Sequence, residues 1–226
     1  MRLVLLSAAA LFLATPVSAD DLIAKAKAMS TEGPLYNYEM SYSDSEIEEA
    51  RGTVYPTAPV GERLRISYPA EEDWPDGYAG RVADMDAGTD GEIWCTEFLE
   101  SVPSDAQRTS ETEGAVTYTF TPEPSEDADG TEKKLFRKLI GTLTLDPATA
   151  SVQSFQMHLP EPMKPNFLAK IDTFSMFAQC DIAPDGRSFA SQFDMELVGN
   201  AMGQSFGETI SRQVTKLLDP VARPLP

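Results

Sequence analysis

The stretch that decides the fold is Phe174–Leu197, with the sequence FSMFAQCDIAPDGRSFASQFDMEL. A proline, an aspartate and a glycine at 184–186 supply a turn near its middle. A period of two in the apolar residues predicts two strands that each bury one face, so the stretch predicts a hairpin within a longer meander over 141–197. The apolar residues that show this period are Phe174, Met176, Ala178, Cys180 and Ile182 before the turn, and Phe189, Phe193, Met195 and Leu197 after it.

The same alternation recurs along the chain and predicts further strands. The polar composition of residues 101–113 predicts a loop, and three prolines at 160–165 predict a break in strand pairing. Residues 92–98 are predicted to form a strand, or a strand that runs into a helical turn. Residues 204–218 fit either a helix or a strand. The predicted fold class is mainly β with few helices (α+β), a curved antiparallel sheet forming an open half-barrel with helices on the concave face. Strands are predicted at 36–42, 46–55, 62–68, 115–121, 139–145 and 152–159.

The N-terminus has the pattern of a secretory signal peptide. A basic Arg2 precedes an apolar run at 3–14, and the small residues at 17–19 predict cleavage after Ala19. The apolar run is shorter than the ~20 residues that a membrane span needs, and no later segment has the composition of one. We therefore expect a periplasmic protein with a signal peptide at 1–19, a single half-barrel domain at 20–218 and an extended tail at 219–226.

Charge and cysteine content narrow the classes of partner and compartment. The chain carries 36 acidic and 18 basic residues, a net charge of −18. We therefore expect no nucleic-acid partner, because phosphate binding requires clustered Lys and Arg. The acidic surface favours solubility or the docking of a basic protein partner. In an exported chain, Cys95 and Cys180 predict a disulfide, with two free buried thiols as the alternative. Such a bridge closes a loop of roughly 85 residues and contributes on the order of 4 kcal/mol.

Motifs for cofactor or metal chemistry are absent from the sequence. His158 is the single histidine and has no nucleophile elbow with it, and no phosphate-binding glycine loop occurs. We therefore predict no catalytic residue, no metal and no cofactor, although a pair of carboxylates among the many acidic residues remains an alternative. Asp86–Glu97 matches part of a calcium-loop spacing, and the other interpretation of this segment is an Asp-Gly hairpin leading into a strand at Trp94.

Methionine and aromatic side chains supply the positive signal for a ligand. On the faces of a curved sheet they can line an adaptable cavity for acyl chains, and the alternative is that they only pack the core. The predicted cavity residues are Tyr36, Tyr38, Met40, Tyr42, Met157, Phe174, Met176, Phe193 and Met195.

The order of these features resembles the LolA/LolB-like superfamily of periplasmic lipoprotein carriers. A signal peptide precedes a short helix at 20–31, a tyrosine-rich strand and a C-terminal meander, and the segment 54–64 (VYPTAPVGERL) is similar to periplasmic proteins of Gram-negative bacteria. The resemblance implies an unclosed barrel with a hydrophobic cavity. The expected function is therefore non-enzymatic binding of a lipid or acylated protein, with a carboxylate-dependent envelope hydrolase or an interaction protein with a filled core as alternatives.

Overall fold

The computed structural model describes residues 21–29 and 32–223 of the chain. The predicted signal peptide and its cleavage site after Ala19 lie outside these residues. Short helices are spaced between the strands, and none in the described ranges is long and apolar enough to cross a membrane. The helices are α1 (Asp21–Lys27), α2 (Tyr78–Ala87) and α3 (Gly130–Phe136), with 3-10 helices at Glu71–Asp73 and Cys95–Ser101.

One antiparallel sheet organises the protein. Its strand order is β3-β2-β1-β11-β10-β9-β7-β6-β5-β4, and β8 pairs with β9 beside this path. The sheet is not closed, because β3 and β4 form its two ends. The prediction of a mainly antiparallel β fold is confirmed. The strands are β1 (Leu35–Asp44), β2 (Ala50–Val54), β3 (Leu64–Tyr68), β4 (Gln107–Glu111), β5 (Val116–Phe120), β6 (Ile140–Leu145), β7 (Val152–His158), β8 (Met163–Asn166), β9 (Ala169–Ile182), β10 (Ser188–Ala201) and β11 (Gln204–Val221).

The predicted hairpin forms β9 and β10. Phe174 lies opposite Leu197, and the backbone N–H of Ala183 donates to the Arg187 carbonyl across the turn at 2.8 Å. Gly186 takes a left-handed φ of 90° in this turn, which glycine adopts without steric cost. Residues 204–218 are strand rather than helix, because β11 pairs with β10 on one side and with β1 on the other. This strand extends to 221, three residues into the predicted tail.

Two local predictions were wrong, each because strand pairing overrides the local pattern. Residues 107–111 form the edge strand β4 instead of a loop, although all five are exposed and show no apolar alternation. The proline-rich segment contains the short strand β8, which pairs with β9 at two positions. At 92–98 the structure follows the alternative of an extended segment that runs into a helical turn, because a single bridge joins Trp94 to Phe189 and the 3-10 helix Cys95–Ser101 comes directly after it.

Two large apolar clusters lie on the sheet. The first core joins β5, β6, β7, β9 and β10 to α1 and the 3-10 helix Cys95–Ser101, and it includes Leu22, Leu99, Tyr118, Leu143 and Phe155. The second core joins β1, β2, β3 and β11 to the loop before the 3-10 helix. Its buried members are Tyr36, Tyr38, Met40, Val54, Leu64, Ile93, Trp94, Ala183, Phe189 and Val214.

The predicted disulfide between Cys95 and Cys180 is present and spans 85 positions of sequence. It joins the 3-10 helix Cys95–Ser101 to β9, and both cysteines are buried in the first core. The Lys27 side chain of α1 donates to the Val102 carbonyl at 2.5 Å, just after the same 3-10 helix. These links hold α1 and the 3-10 helix against the strands that frame the candidate site. A disulfide is compatible with export, since such bonds persist in oxidising compartments.

Candidate functional site

A row of apolar side chains crosses the C-terminal part of the sheet. Met157 on β7 lies opposite Met176 on β9, which lies opposite Met195 on β10 and then Ile210 on β11. Residues that pair directly across antiparallel strands project from the same face of a sheet. Met157 is buried, whereas Met176 and Met195 are only half-buried. One face of the sheet therefore presents an apolar row along four strands, in which Met176, Met195 and Ile210 are partly accessible.

A cleft of about 270 Å³ opens over this face, and we call it the cleft throughout. The 3-10 helix Cys95–Ser101 contributes Phe98, whose ring stacks on Phe155 of β7 with centroids 5.0 Å apart and planes 10° apart. The helix α3 contributes Phe136 from another side. The cleft is thus built from one sheet face and two short helices. Its large apolar lining residues are Phe98, Phe136, Phe155, Met157 and Met176.

The rim of the cleft is acidic. Glu97, Glu100, Glu123 and Glu132 line it, and all four are exposed. No lysine, arginine or histidine is among the lining residues. Partial burial, followed by repulsion from nearby carboxylates that include Glu100, raises the pKa of Glu97. The cleft therefore combines an apolar interior with a mouth that repels anions and attracts cations.

The structure separates the nine residues predicted to line a cavity into two groups. Met157 and Met176 line the cleft, while Phe174 and Phe193 pack against the first core beside it. Met195 is half-buried on the neighbouring strand β10. The other four lie on β1 in or beside the second core, away from the cleft lining. These are Tyr36, Tyr38 and Met40, which are buried, and Tyr42, which packs partly against them.

The second core is closed by side chains that the sequence pattern did not single out. The Trp94 indole meets Tyr36 edge-on, with ring centroids 6.2 Å apart. The Arg187 guanidinium lies 3.5 Å from the Trp94 ring centre, and it also donates to Asp185 and to the Pro34 carbonyl. Trp94 and Arg187 thus cover the tyrosine face of β1, and the cation–π contact and the hydrogen bonds hold them in place. The tyrosine face of β1 is consequently packed rather than open.

Sequence reasoning missed three of the five apolar residues that line the cleft. Phe155 precedes Met157 by two positions in β7, so its period-two spacing carried a usable signal. Phe98 and Phe136 lie on helices of seven residues each, which are too short to show an amphipathic pattern. Their place at the cleft depends on the disulfide and on the packing of α3.

In the segment Asp86–Glu97, which partly matches a calcium-loop spacing, two aspartates accept hydrogen bonds from the backbone. The Asp86 carboxylate is buried and accepts hydrogen bonds from the backbone N–H of Gly61 and, at 2.7 Å, of Leu64. Asp90 accepts from the backbone N–H of Glu92 at 2.9 Å. Across residues 21–29 and 32–223, no group of three or more His, Cys, Asp or Glu side chains is placed to hold a metal ion. Asp86 anchors the turn at 61–64 to α2.

No protein-family model, curated protein or solved structure matches this chain. The resemblance to the lipoprotein-carrier superfamily therefore stays a prediction.

Proposed function

We propose that this is a non-enzymatic periplasmic binding protein that holds an apolar chain of a lipid or an acylated protein in the cleft. In this proposal the open sheet curves as a half-barrel, with short helices over its concave face. The observation that carries the proposal is the cleft, in which Phe98, Phe136 and Met176 are only half-buried, so that apolar side chains stay accessible on an otherwise strongly acidic protein. The buried Phe155 and Met157 form its floor. Apolar lining with a few polar groups at the mouth is typical of ligand sites.

The size of the cleft limits what it can hold. Its volume of about 270 Å³ lies just below the ~300–1,000 Å³ that is typical of small-molecule sites. It therefore accepts one acyl segment rather than a complete lipid. Phe174 and Leu197 pair across β9 and β10, two positions beyond Met176 and Met195 on the same face, and both are half-buried. They offer an apolar path along which a longer chain can continue.

Methionine and charge shape the expected selectivity. Met157 and Met176 have flexible, polarisable side chains that adjust to irregular guests. The four rim glutamates disfavour a free fatty-acid carboxylate at the mouth of the cleft and favour a neutral or cationic head group. They also suit a basic segment of an acylated protein partner.

The two alternative functions have weaker support. A hydrolase of the carboxylate-pair type places its acid in an environment that raises the pKa and its partner carboxylate nearby. Partial burial and neighbouring acids do raise the pKa of Glu97, but all four rim glutamates are exposed to solvent. A protein with only a filled core does not account for the accessible apolar lining. The second core, by contrast, fits that description well.

The first test asks whether the cleft binds an apolar probe. Purified mature protein is extracted with organic solvent for mass spectrometry, and the delipidated protein is titrated with N-phenyl-1-naphthylamine, a neutral probe that fluoresces in apolar sites. We expect saturable fluorescence, displaced more strongly by dodecylamine than by laurate, which has the same chain length and the opposite charge. Absence of both co-purified lipid and saturable probe binding would refute the proposal.

A matched pair of variants locates the binding. Met176→Trp fills the cleft and is expected to weaken probe binding by about tenfold or more, because overpacking removes the space for a guest. Met195→Trp makes the same change one strand away, on a residue that does not line the cleft, and should keep most of the affinity. Circular dichroism checks that both variants fold. Equal affinity of Met176→Trp and wild type would place the probe elsewhere.

A further inference from the structure

Two hairpin turns meet at one end of the sheet, about 20 Å along β9 from the cleft residue Met176. The β8–β9 turn carries Phe167 and Leu168, and the β10–β11 turn carries Met202 and Gly203. Ala169 and Ala201 pair across β9 and β10, which sets the turns side by side. The backbone N–H of Met202 donates to the Leu168 carbonyl at 2.7 Å. We call residues 163–171 and 199–207 together the hairpin tip.

The hairpin tip exposes large apolar side chains. Phe167 is 92% exposed and Met202 is 80% exposed, and Leu168 and Phe206 are exposed beside them. These four make up half of the large exposed apolar residues found in the described part of the chain, and the other four are scattered over the protein. Contiguous exposed apolar groups on a soluble domain mark contact surfaces.

One of these exposed residues, Met202, also has a strained backbone conformation. Met202 has a left-handed φ of 53°, followed by Gly203 at 81°, which is the arrangement of a type I′ hairpin turn. Asparagine, aspartate or glycine is the usual residue at the first of these positions, whereas methionine adopts a left-handed φ only at an energetic cost. Such a cost at an exposed position points to a use for the methionine side chain.

The charge of the tip is opposite to that of the protein. Its eighteen residues include Lys164 and Lys170 and no acidic residue, in a chain with 36 acidic residues among 226. Lys170 pairs with Asp172, the first acidic residue beyond the tip on β9. The basic helix α3 adjoins this end of the sheet, where Lys134 donates to the Pro165 carbonyl at 3.0 Å. Two lysines thus lie within the tip, and a third contacts it from α3.

We infer that the hairpin tip docks the protein onto an anionic lipid surface. Exposed apolar side chains that insert into the headgroup region, together with lysines that meet anionic headgroups, are the combination that binds peripheral proteins to membranes. Phe167, Leu168 and Met202 supply the inserting groups. The positive charge comes from Lys164, from Lys134 on α3 and in part from Lys170, which shares its charge with Asp172. The acidic remainder of the surface is repelled by such a membrane, so docking is oriented with the tip towards the lipid.

Vesicle flotation tests this inference without reference to the cleft. Mature protein is mixed with vesicles of phosphatidylethanolamine and phosphatidylglycerol, or with vesicles of phosphatidylcholine alone. We expect flotation with the anionic vesicles, weaker flotation with the neutral ones, and loss of binding as salt screens the lysines. Failure of wild type to float with anionic vesicles would overturn the inference.

Variants identify the surface that binds. Phe167→Ser combined with Met202→Ser should reduce vesicle affinity by about tenfold or more, since it removes most of the inserted apolar area. Lys164→Gln combined with Lys170→Gln should weaken binding to anionic vesicles and reduce its salt dependence. The matched control is Ile182→Ser, which removes an exposed apolar side chain from the opposite end of β9 and should leave flotation unchanged.

Two results would contradict docking through the tip. One is flotation of the Phe167→Ser and Met202→Ser variant at wild-type affinity. The other is light scattering that shows a wild-type dimer which this variant dissociates, because the tip would then bind a second copy of the chain. Probe binding in the cleft is expected to survive all the tip variants, so failure of this inference is distinguishable from failure of the proposed function.

Discussion

The first and second cores are built from similar residues on one sheet, yet the first borders an accessible cleft whereas side chains of the described residues cover the tyrosine face of the second. On β1, Tyr36 and Tyr38 are sealed by the Trp94 indole, over which Arg187 lies. On β7 and β9, Met157 and Met176 face short helices that leave about 270 Å³ between Phe98 and Phe136. Apolar alternation is equally clear in both regions. The difference lies in what covers each face.

This contrast shows that an aromatic or methionine-rich strand face is not by itself a binding site. A large ring such as Trp94 fills the space over the second core and is almost fully buried. The cover of the first core depends on a 3-10 helix that a disulfide holds in place. We expect substitutions in the second core to cost stability alone, and changes at the cleft or its cover to affect binding as well.

The largest effect should come from removing the disulfide that secures the cover. Cys95→Ala combined with Cys180→Ala frees a loop of 85 positions and should lower the free energy of unfolding by about 4–5 kcal/mol. Probe affinity in the cleft should fall too, because the 3-10 helix Cys95–Ser101 carries Phe98. Urea unfolding measures the stability, and reduced wild type is the control. Equal stability of oxidised and reduced wild type would contradict the prediction.

A pair of alanine substitutions compares the two cores directly. Tyr38 is 1% exposed, and Tyr38→Ala should cost about 3–4 kcal/mol of stability while leaving probe affinity unchanged. Met176 is half-buried, and Met176→Ala should cost only about 1 kcal/mol and change probe affinity. Denaturant midpoints and probe titrations separate the effects. If Tyr38→Ala alters probe binding in a folded protein, the two regions are coupled more closely than their separate packing indicates.

The third prediction concerns Asp44, whose carboxylate joins the loop after β1 to α2 beside the second core. The Asp44 side chain is 2% exposed and accepts hydrogen bonds from the backbone N–H of Glu46 and Ile47, from the Tyr42 hydroxyl at 2.9 Å and from Arg81 at 2.5 Å. Burial opposes ionisation, but these donors outweigh it and lower the pKa of Asp44. Asp44→Asn should therefore cost about 2 kcal/mol at neutral pH.

The sign of the pH dependence follows from the lowered pKa. The stabilisation by ionised Asp44 is complete above the unfolded pKa of about 4, and it is lost as the pH falls through the lower folded value. In urea unfolding, the difference in free energy of unfolding between wild type and Asp44→Asn should therefore become smaller as the pH falls below about 4. Glu46→Gln, which alters an exposed partner of Arg81, is the control and should change stability much less. A gap that does not vary with pH would contradict this account.

The smallest effect is expected at the cleft rim. Partial burial and neighbouring carboxylates raise the pKa of Glu97, so its ionised form opposes folding at neutral pH. Glu97→Gln should be slightly more stable than wild type at neutral pH, and the difference should vanish as the pH falls below about 4, where both folded and unfolded carboxyls are protonated. Glu71→Gln, on an exposed 3-10 helix, is the control. Lower stability of Glu97→Gln at neutral pH would reverse the assigned sign.

Local pattern predicted those parts of the fold in which one face is buried and the other wet. The β9–β10 hairpin alternates where residues 174–178 lie opposite residues 193–197, and its turn residues suit the turn that forms. Near the turn the predicted alternation fails, because Ile182 is exposed and the register shifts between Ala190 and Gln192. The local sequence pattern did not predict β4, because every residue of β4 is exposed and only its pairing with β5 defines the strand. Two of the three missed cleft residues escaped prediction for a related reason: Phe98 and Phe136 reach the cleft through tertiary packing of short helices.

By itself the sequence determined the antiparallel β class, the central hairpin and the pairing of Cys95 with Cys180, because periodicity and cysteine number depend on the chain alone. Only the tertiary structure decided that β11 is a strand, that the tyrosine face of β1 is sealed, and that a cleft opens beside Met176. A period of two specifies which face of a strand is buried. What buries it, and how completely, depends on segments that are distant in sequence.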